Sequence, residues 1–276
     1  MQIKSLYENA AALRSFLPPE LERLYDGRLS FPEAEGDRPL VIGNFVTSLD
    51  GVASFSIPGE SGGGPLSGFN DEDHFVMGLL RSAADAVLVG SGTLHGDPGQ
   101  IRIAEAIYPK AASVYAELRA QLGKPPRPIN VILTASGKLD LEEPTFHTPG
   151  LDAVVITTME GASRLSSRDL SNVTVYSTGE SGQTTPQAVL RILSRELGVR
   201  VLLHEGGPTA FGQFLSERCV DEFFLTLSPQ IAGRDAETCR PSFAGSALFL
   251  PETAPWMKLM SAKLAGDHLL LRYATQ

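Results

Sequence analysis

The chain has 276 residues, a formal net charge of −9, 42% hydrophobic residues and 20% charged residues, enough to bury a sizeable globular core. The acidic balance argues against a surface for nucleic acid or an anionic membrane, while leaving room for a local basic pocket that takes a small phosphorylated molecule. No apolar run approaches the length of a membrane span and MQIKSLYENAAALRSFL lacks a signal-peptide core, so a cytoplasmic location is expected.

Residues Ile3 to Leu24 carry apolar positions at helical intervals, broken by Pro18-Pro19, and the polar stretch Ser30 to Pro39 follows. Residues 1–39 therefore read as an N-terminal helical extension with a linker, and residues 40–276 as one domain. Beyond the linker, strands are expected at Leu40–Val46, Ala86–Val89, Ile129–Thr134, Ala153–Thr157, Val173–Tyr176, Val199–Leu203 and Glu222–Leu227. Helices are expected at Asp73–Ser82, Ala111–Leu122, Pro186–Leu197 and Thr209–Glu217. Continuous apolar strands spaced by helices predict an α/β fold, a mostly parallel sheet with helices on both faces. Trp256–Leu264 and His268–Tyr273 flank Ala265-Gly266-Asp267 and read as an antiparallel hairpin finishing one edge. Cys219 and Cys239 have neither CxxC spacing nor nearby histidines, so they read as free thiols and no metal site is expected.

Four strand ends carry polar or glycine-rich residues, and such ends are where open α/β sheets place ligands. Leu40–Val46 runs into Thr47-Ser48-Leu49-Asp50-Gly51, which reads equally as a capped surface loop. The glycine-rich stretch Gly59 to Gly64 follows, either a loop that closes over a substrate or a plain surface loop. Ala86–Val89 opens into Gly90-Ser91-Gly92-Thr93, with Asp97-Pro98 and Arg102 beyond, and offers N–H donors to a phosphate. In Asn130 to Lys138, with Thr134, Ser136 and Lys138, hydroxyls and a lysine come at the end of a strand and suit a ribose phosphate. In VLLHEGGPTAFGQFL the apolar run ends in Glu205, and Gly206-Gly207 opens a helix whose first N–H groups suit a diphosphate. Singly, each junction is as well explained as an ordinary tight connection; together they would line one crevice.

The ordered set SLDG, LLR, DAVLVGSGTL with Asp97-Pro98, NVILTASG, HEGGPTAFGQFL and VDEFFLTLSPQIAG resembles the reductase domain of riboflavin biosynthesis, from roughly Leu40 to Tyr273. That family acts on 5-amino-6-(5-phosphoribosylamino)uracil and has a dihydrofolate-reductase-like fold. The resemblance implies an NADPH-dependent reduction in which the ribose opens to an imine and hydride reaches C1′, giving the ribitylamino product. Carried over by position, Gly90, Thr93, Asp97, Thr134, Ser136 and the run Gly207 to Gln213, with Pro208, Thr209 and Ala210, would contact the dinucleotide. Gly206 would allow its close approach. Ser61, Arg81 and Arg102 would hold the substrate and its phosphate, with Glu205 beside the ribityl chain. Glu205 and Asp50 are the catalytic candidates, for ring opening or for orienting sugar hydroxyls. A homodimer is the family expectation.

The sequence departs from the family in two places. Where members often carry a tryptophan near the nicotinamide, Ser61 to Ser67 has glycines, Pro65 and Leu66, and the one tryptophan is Trp256 in the C-terminal hairpin. The zinc deaminase signature that often accompanies the reductase is missing, so a stand-alone reductase is expected. Two alternatives stay open. One is reduction of another heterocycle, dihydrofolate first: Asp71, Glu72 and Asp73 open a helix where a pterin-binding acid would sit, although acids there also suit the helix dipole. The other is a nucleotide-binding regulator that keeps the crevice without turnover.

Overall fold

Ala86–Gly90 and Ala153–Thr157 are buried at every residue, which requires a sheet covered on both faces. The computed structural model describes residues 2–9, 15–34, 36–57, 60–166, 173–235 and 237–276. Its elements run β1 (Ile3–Glu8), α1 (Pro19–Tyr25), β2 (Leu40–Thr47), α2 (Gly64–Ser67), α3 (Asp71–Ala83) and β3 (Ala86–Gly90). Next come α4 (Ser91–Gly96), α5 (Ala104–Ile107), α6 (Ala112–Gln121), β4 (Ile129–Leu133), β5 (Ala153–Thr157), α7 (Met159–Leu165) and β6 (Val173–Ser177). The chain finishes with α8 (Pro186–Arg195), β7 (Val201–His204), α9 (Pro208–Ser216), β8 (Glu222–Leu227), β9 (Met257–Ala265) and β10 (His268–Thr275).

Among the described residues the strands form one ten-stranded sheet, ordered β1-β9-β10-β8-β2-β7-β3-β4-β5-β6. From β8 to β6 every pairing is parallel, whereas β10, β9 and β1 add antiparallel strands beside β8. The architecture is the expected α/β sheet with helices on both faces and a C-terminal antiparallel hairpin. Period-two alternation sorts the strand side chains between the faces. Leu40 and Ile42 of β2 join Leu21, Phe75, Leu79 and Leu118 on the face covered by α1, α3 and α6. Val41 joins Val189, Leu193, Phe211 and Phe214 on the face covered by α8 and α9.

Three expectations are corrected. Ile3–Glu8, read as helix, is strand β1, paired antiparallel with β9. Ile3, Leu6 and Tyr7 fall at helical intervals, but only Ile3 is buried, and an edge strand that buries one residue carries no period-two signal. The hairpin is consequently not the edge of the sheet, because β1 covers its outer strand. The helix read to begin near Ile3 begins instead at Pro19, with proline at its first position, and Leu21 and Tyr25 enter the core. Residues 10–14 of that expected helix and Gly59 of the glycine-rich stretch lie outside the described residues.

Local signals place the helices that carry the site. Asn70 caps α3 by accepting from the Asp73 N–H (2.9 Å), and Asp71, Glu72 and Asp73 occupy its first turn. At its other end the Arg119 guanidinium donates to the carbonyls of Ala84 (2.8 Å), Ser82 (3.2 Å) and Arg81 (3.3 Å). Those bonds satisfy carbonyls that a helix end leaves open, and they fix the turn bearing Arg81.

Candidate active site

The C-terminal ends of β2, β3, β4 and β7 open into one cleft of about 1290 Å³, roomier than the few hundred cubic ångströms a single small ligand fills. Backbone bonds knit its floor: Glu205 N–H donates to the Leu88 carbonyl (3.0 Å) and Gly90 N–H to the Gly206 carbonyl (2.8 Å). Gly206 has φ +108°, a conformation that favours glycine, and a Cβ on Gly207 would lie 2.8 Å from Thr93 Oγ1. Beneath the turn His204 is fully buried, and burial pushes it down to about 3, so the ring is neutral. Its Nδ1 accepts from the Gly206 N–H at 3.1 Å. Helix α9 begins with Gly207 at its N-cap and Pro208 in its first turn, without a side-chain cap. Its first N–H groups are thus left for a ligand or solvent.

An ionic cluster stands beside this turn. Arg81 Nε and Nη2 each donate to one oxygen of Glu205 at 2.8 Å, and both side chains are 7% exposed. Arg81 Nη1 donates to the Ile103 carbonyl at 3.3 Å, so all three nitrogens of its fork are engaged. Arg102 lines the same cleft and donates through Nη1 to the Gln100 carbonyl (2.8 Å). Asn130 of β4 pins its backbone, accepting from the Arg102 N–H (2.9 Å) and donating to its carbonyl (3.1 Å). Burial pushes the Asp97 carboxyl above its ordinary range against the pull of Arg102 and Arg81. Burial, reinforced by Arg81, lowers the Arg102 guanidinium.

Of the residues expected from sequence, Ser61, Arg81, Gly90, Thr93, Asp97, Arg102, Thr134, Glu205, Gly207, Pro208, Thr209 and Ala210 all line this cleft. Three do not. Gly206 lies behind the turn, bonded to Gly90 and His204. Ser136 is exposed beyond the rim, its Oγ accepting from Lys138 N–H and its carbonyl bonded by Arg164. Asp50 faces another loop: its carboxylate accepts from the Ser48 hydroxyl (2.6 Å) and the N–H groups of Ala232 (3.0 Å) and Gly233 (2.8 Å). Those donors pull it down to about 2, the Ser48 hydroxyl most. The glycine-rich loop packs onto the end of α4, where a Cβ on Gly62 would lie 3.1 Å from the Asp97 carboxyl.

Sequence reasoning missed most of the far wall of the cleft, Asn44, Phe69, His74 and Met77, and named its Asp73 only with Asp71 and Glu72 for the dihydrofolate alternative. The spacing of Asp73, Met77 and Arg81, one helical turn apart each time, was the available signal. Among the described residues no group of three or more His, Cys, Asp or Glu could hold a metal ion. No helix of the described residues is long and apolar enough to cross a membrane.

Known proteins resemble this chain in sequence and in fold. The 2,5-diamino-6-ribosylamino-4(3H)-pyrimidinone 5′-phosphate reductase of Archaeoglobus fulgidus is 28% identical over 202 residues, 73% of this chain and 85% of that protein. A pyrimidine reductase-like protein from Corynebacterium diphtheriae superposes with a TM-score of 0.67 at 22% identity, covering 87% of this chain and 93% of the other. The riboflavin biosynthesis reductase of Saccharomyces cerevisiae gives a TM-score of 0.59 at 17% identity, over 94% and 99% of the two chains. The model of the RibD C-terminal domain matches residues 39–267, and the chain belongs to that family.

Proposed function

We propose that the chain is an oxidoreductase that uses NADPH to reduce 5-amino-6-(5-phosphoribosylamino)uracil to its ribitylamino product, with residues 40–276 as the catalytic unit. The observation that carries this reading is the juxtaposition, in one cleft, of the Glu205–Arg81 pair with the glycine turn and the uncapped start of α9. Family membership and the activity named for the Archaeoglobus relative, on a ribosylaminopyrimidinone phosphate, support it.

The cradle fits a dinucleotide: the missing Cβ of Gly207 leaves Thr93 accessible at the turn, and the first N–H groups of α9 suit a diphosphate. Thr93, Thr134, Gly207, Pro208, Thr209 and Ala210 would hold the cofactor, which supplies the hydride. The protein's part is positioning and charge. Glu205, fixed by two bonds from Arg81, orients the sugar hydroxyls during ring opening. Because Glu205 and the Ile103 carbonyl engage Arg81, Arg102 takes the main share of the substrate phosphate, and Arg81 acts through Glu205. Absorbance at the nicotinamide band with authentic phosphoribosylaminouracil tests the proposal. Steady NADPH oxidation is expected, and no turnover overturns it.

A cytoplasmic homodimer completes the reading. Ile231, Leu248, Leu250 and Trp256, all exposed between β8 and the hairpin, offer apolar surface for a second copy. A monomeric sedimentation profile, or recovery with membranes on cell fractionation, would refute the corresponding part.

A further inference from the structure

His204 closes β7 directly beneath the cleft floor and has no exposed surface. Because its Nδ1 accepts from the Gly206 N–H (3.1 Å), the proton of the neutral ring sits on Nε2. That Nε2 is buried and has no hydrogen-bond partner. The rings that stand edge-to-face with it, Phe214 at 4.7 Å and Phe211 at 5.2 Å between centroids, carry no acceptor oxygen. A donor buried in that state is costly, and the attraction of an N–H for an aromatic ring recovers only part of the cost. A leucine would fill the same place without it. The contribution of the imidazole is its other nitrogen.

The sheet shows why that nitrogen is needed. β2 and β7 pair only as far as Gly43 and His204, so beyond His204 the ladder offers no acceptor for the Gly206 N–H, and Gly206 at φ +108° has left the extended conformation. The other bonds of the turn go to β3, from Glu205 N–H to the Leu88 carbonyl and from Gly90 N–H to the Gly206 carbonyl. His204 supplies the one acceptor that the strands do not. Its ring is held by Phe211 and Phe214, and Phe211 reaches it because Gly43 is bare: a Cβ there would lie 2.4 Å from the Phe211 ring.

Both peptide groups that flank the Glu205 Cα are thereby tied, one to Leu88 and one to His204. At the other end of the side chain Arg81 holds the two carboxylate oxygens at 2.8 Å each. A carboxylate fixed at its head alone still rocks about its backbone; fixed at both ends, it keeps one position. We propose that His204 is a positioning residue of the active site: through the Gly206 amide it fixes the backbone from which Glu205 reaches the substrate, touching neither substrate nor cofactor itself. The inference rests on the reading of the chain as a pyrimidine reductase and adds to it a residue that does not line the cleft.

Variants of His204 and one measurement on the wild-type protein test it. His204→Leu removes the acceptor and the unpaired donor together, two opposing changes, so the melting temperature should move by only a few degrees. Turnover should nevertheless fall about tenfold or more, because a slight displacement of a group at the reacting centre is expensive, while NADPH affinity read by fluorescence changes less than about threefold. His204→Asn puts Oδ1 where Nδ1 was and should restore most of the turnover. Amide exchange at Gly206 should quicken about tenfold or more in His204→Leu and stay slow in His204→Asn. In wild-type protein, NMR should place the ring proton on Nε2 and show a scalar coupling between the Gly206 nitrogen and Nδ1. Should His204→Leu not fold, His204→Gln, whose amide sits one bond further out, takes its place. Unchanged turnover in the folded variant without the acceptor, equal losses in it and in His204→Asn, or a missing coupling overturns the proposal. Wild-type protein that binds NADPH without oxidising it in the presence of the phosphoribosylaminouracil sinks the reductase reading instead; the coupling and the Gly206 exchange then still decide whether His204 holds the turn.

Discussion

Arg272 reaches Glu222 through Nε and Nη2 at 2.8 Å each, the same two-pronged geometry by which Arg81 reaches Glu205. Both pairs are nearly sealed from water, with side-chain exposures of 5% and 3% for the first and 7% and 7% for the second. Their surroundings differ. The Arg272 guanidinium lies over the rings of Phe31 (5.5 Å) and Phe224 (5.6 Å) and donates to the Ser30 carbonyl (2.6 Å), joining β10 to β8 and to the N-terminal residues. Arg81 instead has Arg102 and Asp97 for neighbours and faces open space. A buried ion pair therefore does not mark a site by itself; unfilled space and a surplus of charge beside it do.

The strongest way to break this contrast is Arg272→Ala. It strands the Glu222 carboxylate in the core and should cost about 3–5 kcal/mol in urea unfolding, with kcat/KM of the remaining folded protein unchanged. A large loss of activity without loss of stability would erase the distinction. Glu205→Gln should do the reverse, lowering turnover about a hundredfold while destabilising the fold less than Arg272→Ala. Equal losses in turnover and NADPH affinity would count against a role for Glu205 in the chemistry. Arg102→Ala should weaken the phosphorylated substrate by about tenfold or more and its dephosphorylated analogue much less. Equal weakening of the two removes the phosphate assignment. The smallest effect belongs to Asp50. Its carboxyl is held at about 2, below the ordinary 3.8, so the stability it contributes is present above pH 3.8 and is lost as pH falls toward 2. Asp50→Asn should flatten that part of an acid-unfolding curve and leave turnover nearly intact; a collapse of turnover would return Asp50 to the catalytic set.

The strands of the parallel half and the glycine turn were legible because buried strands read as unbroken apolar runs and because glycine marks a backbone that other residues rarely adopt. The cleft's rim was legible for the same reason: strand ends announce themselves by a change from apolar to polar residues. Pairings across the chain were not. Nothing local in LLR and HEGG says that Arg81 and Glu205 share two hydrogen bonds, and SLDG reads alike whether its acid faces a ligand or, as Asp50 does, ties down the loop at Ala232 and Gly233. Asp73 could not be told from Asp71 and Glu72, since acids at a helix start are explained by the dipole whichever of them faces the cleft. The edge strand β1 was misread because its pairing with β9 is made by backbone groups, which leave no trace in side-chain pattern.

The position of β2 bears on how the molecule is made. It is synthesised early, yet its two sheet neighbours are β7 and β8, from the far end of the chain. On the ribosome an apolar central strand must therefore wait with both edges bare until most of the remaining polypeptide has emerged, a topology that folds slowly and invites mispairing. The cleft floor is accordingly among the last parts to form. A nascent chain stalled before β7 should be a client of chaperones, with no partial activity to show for its length.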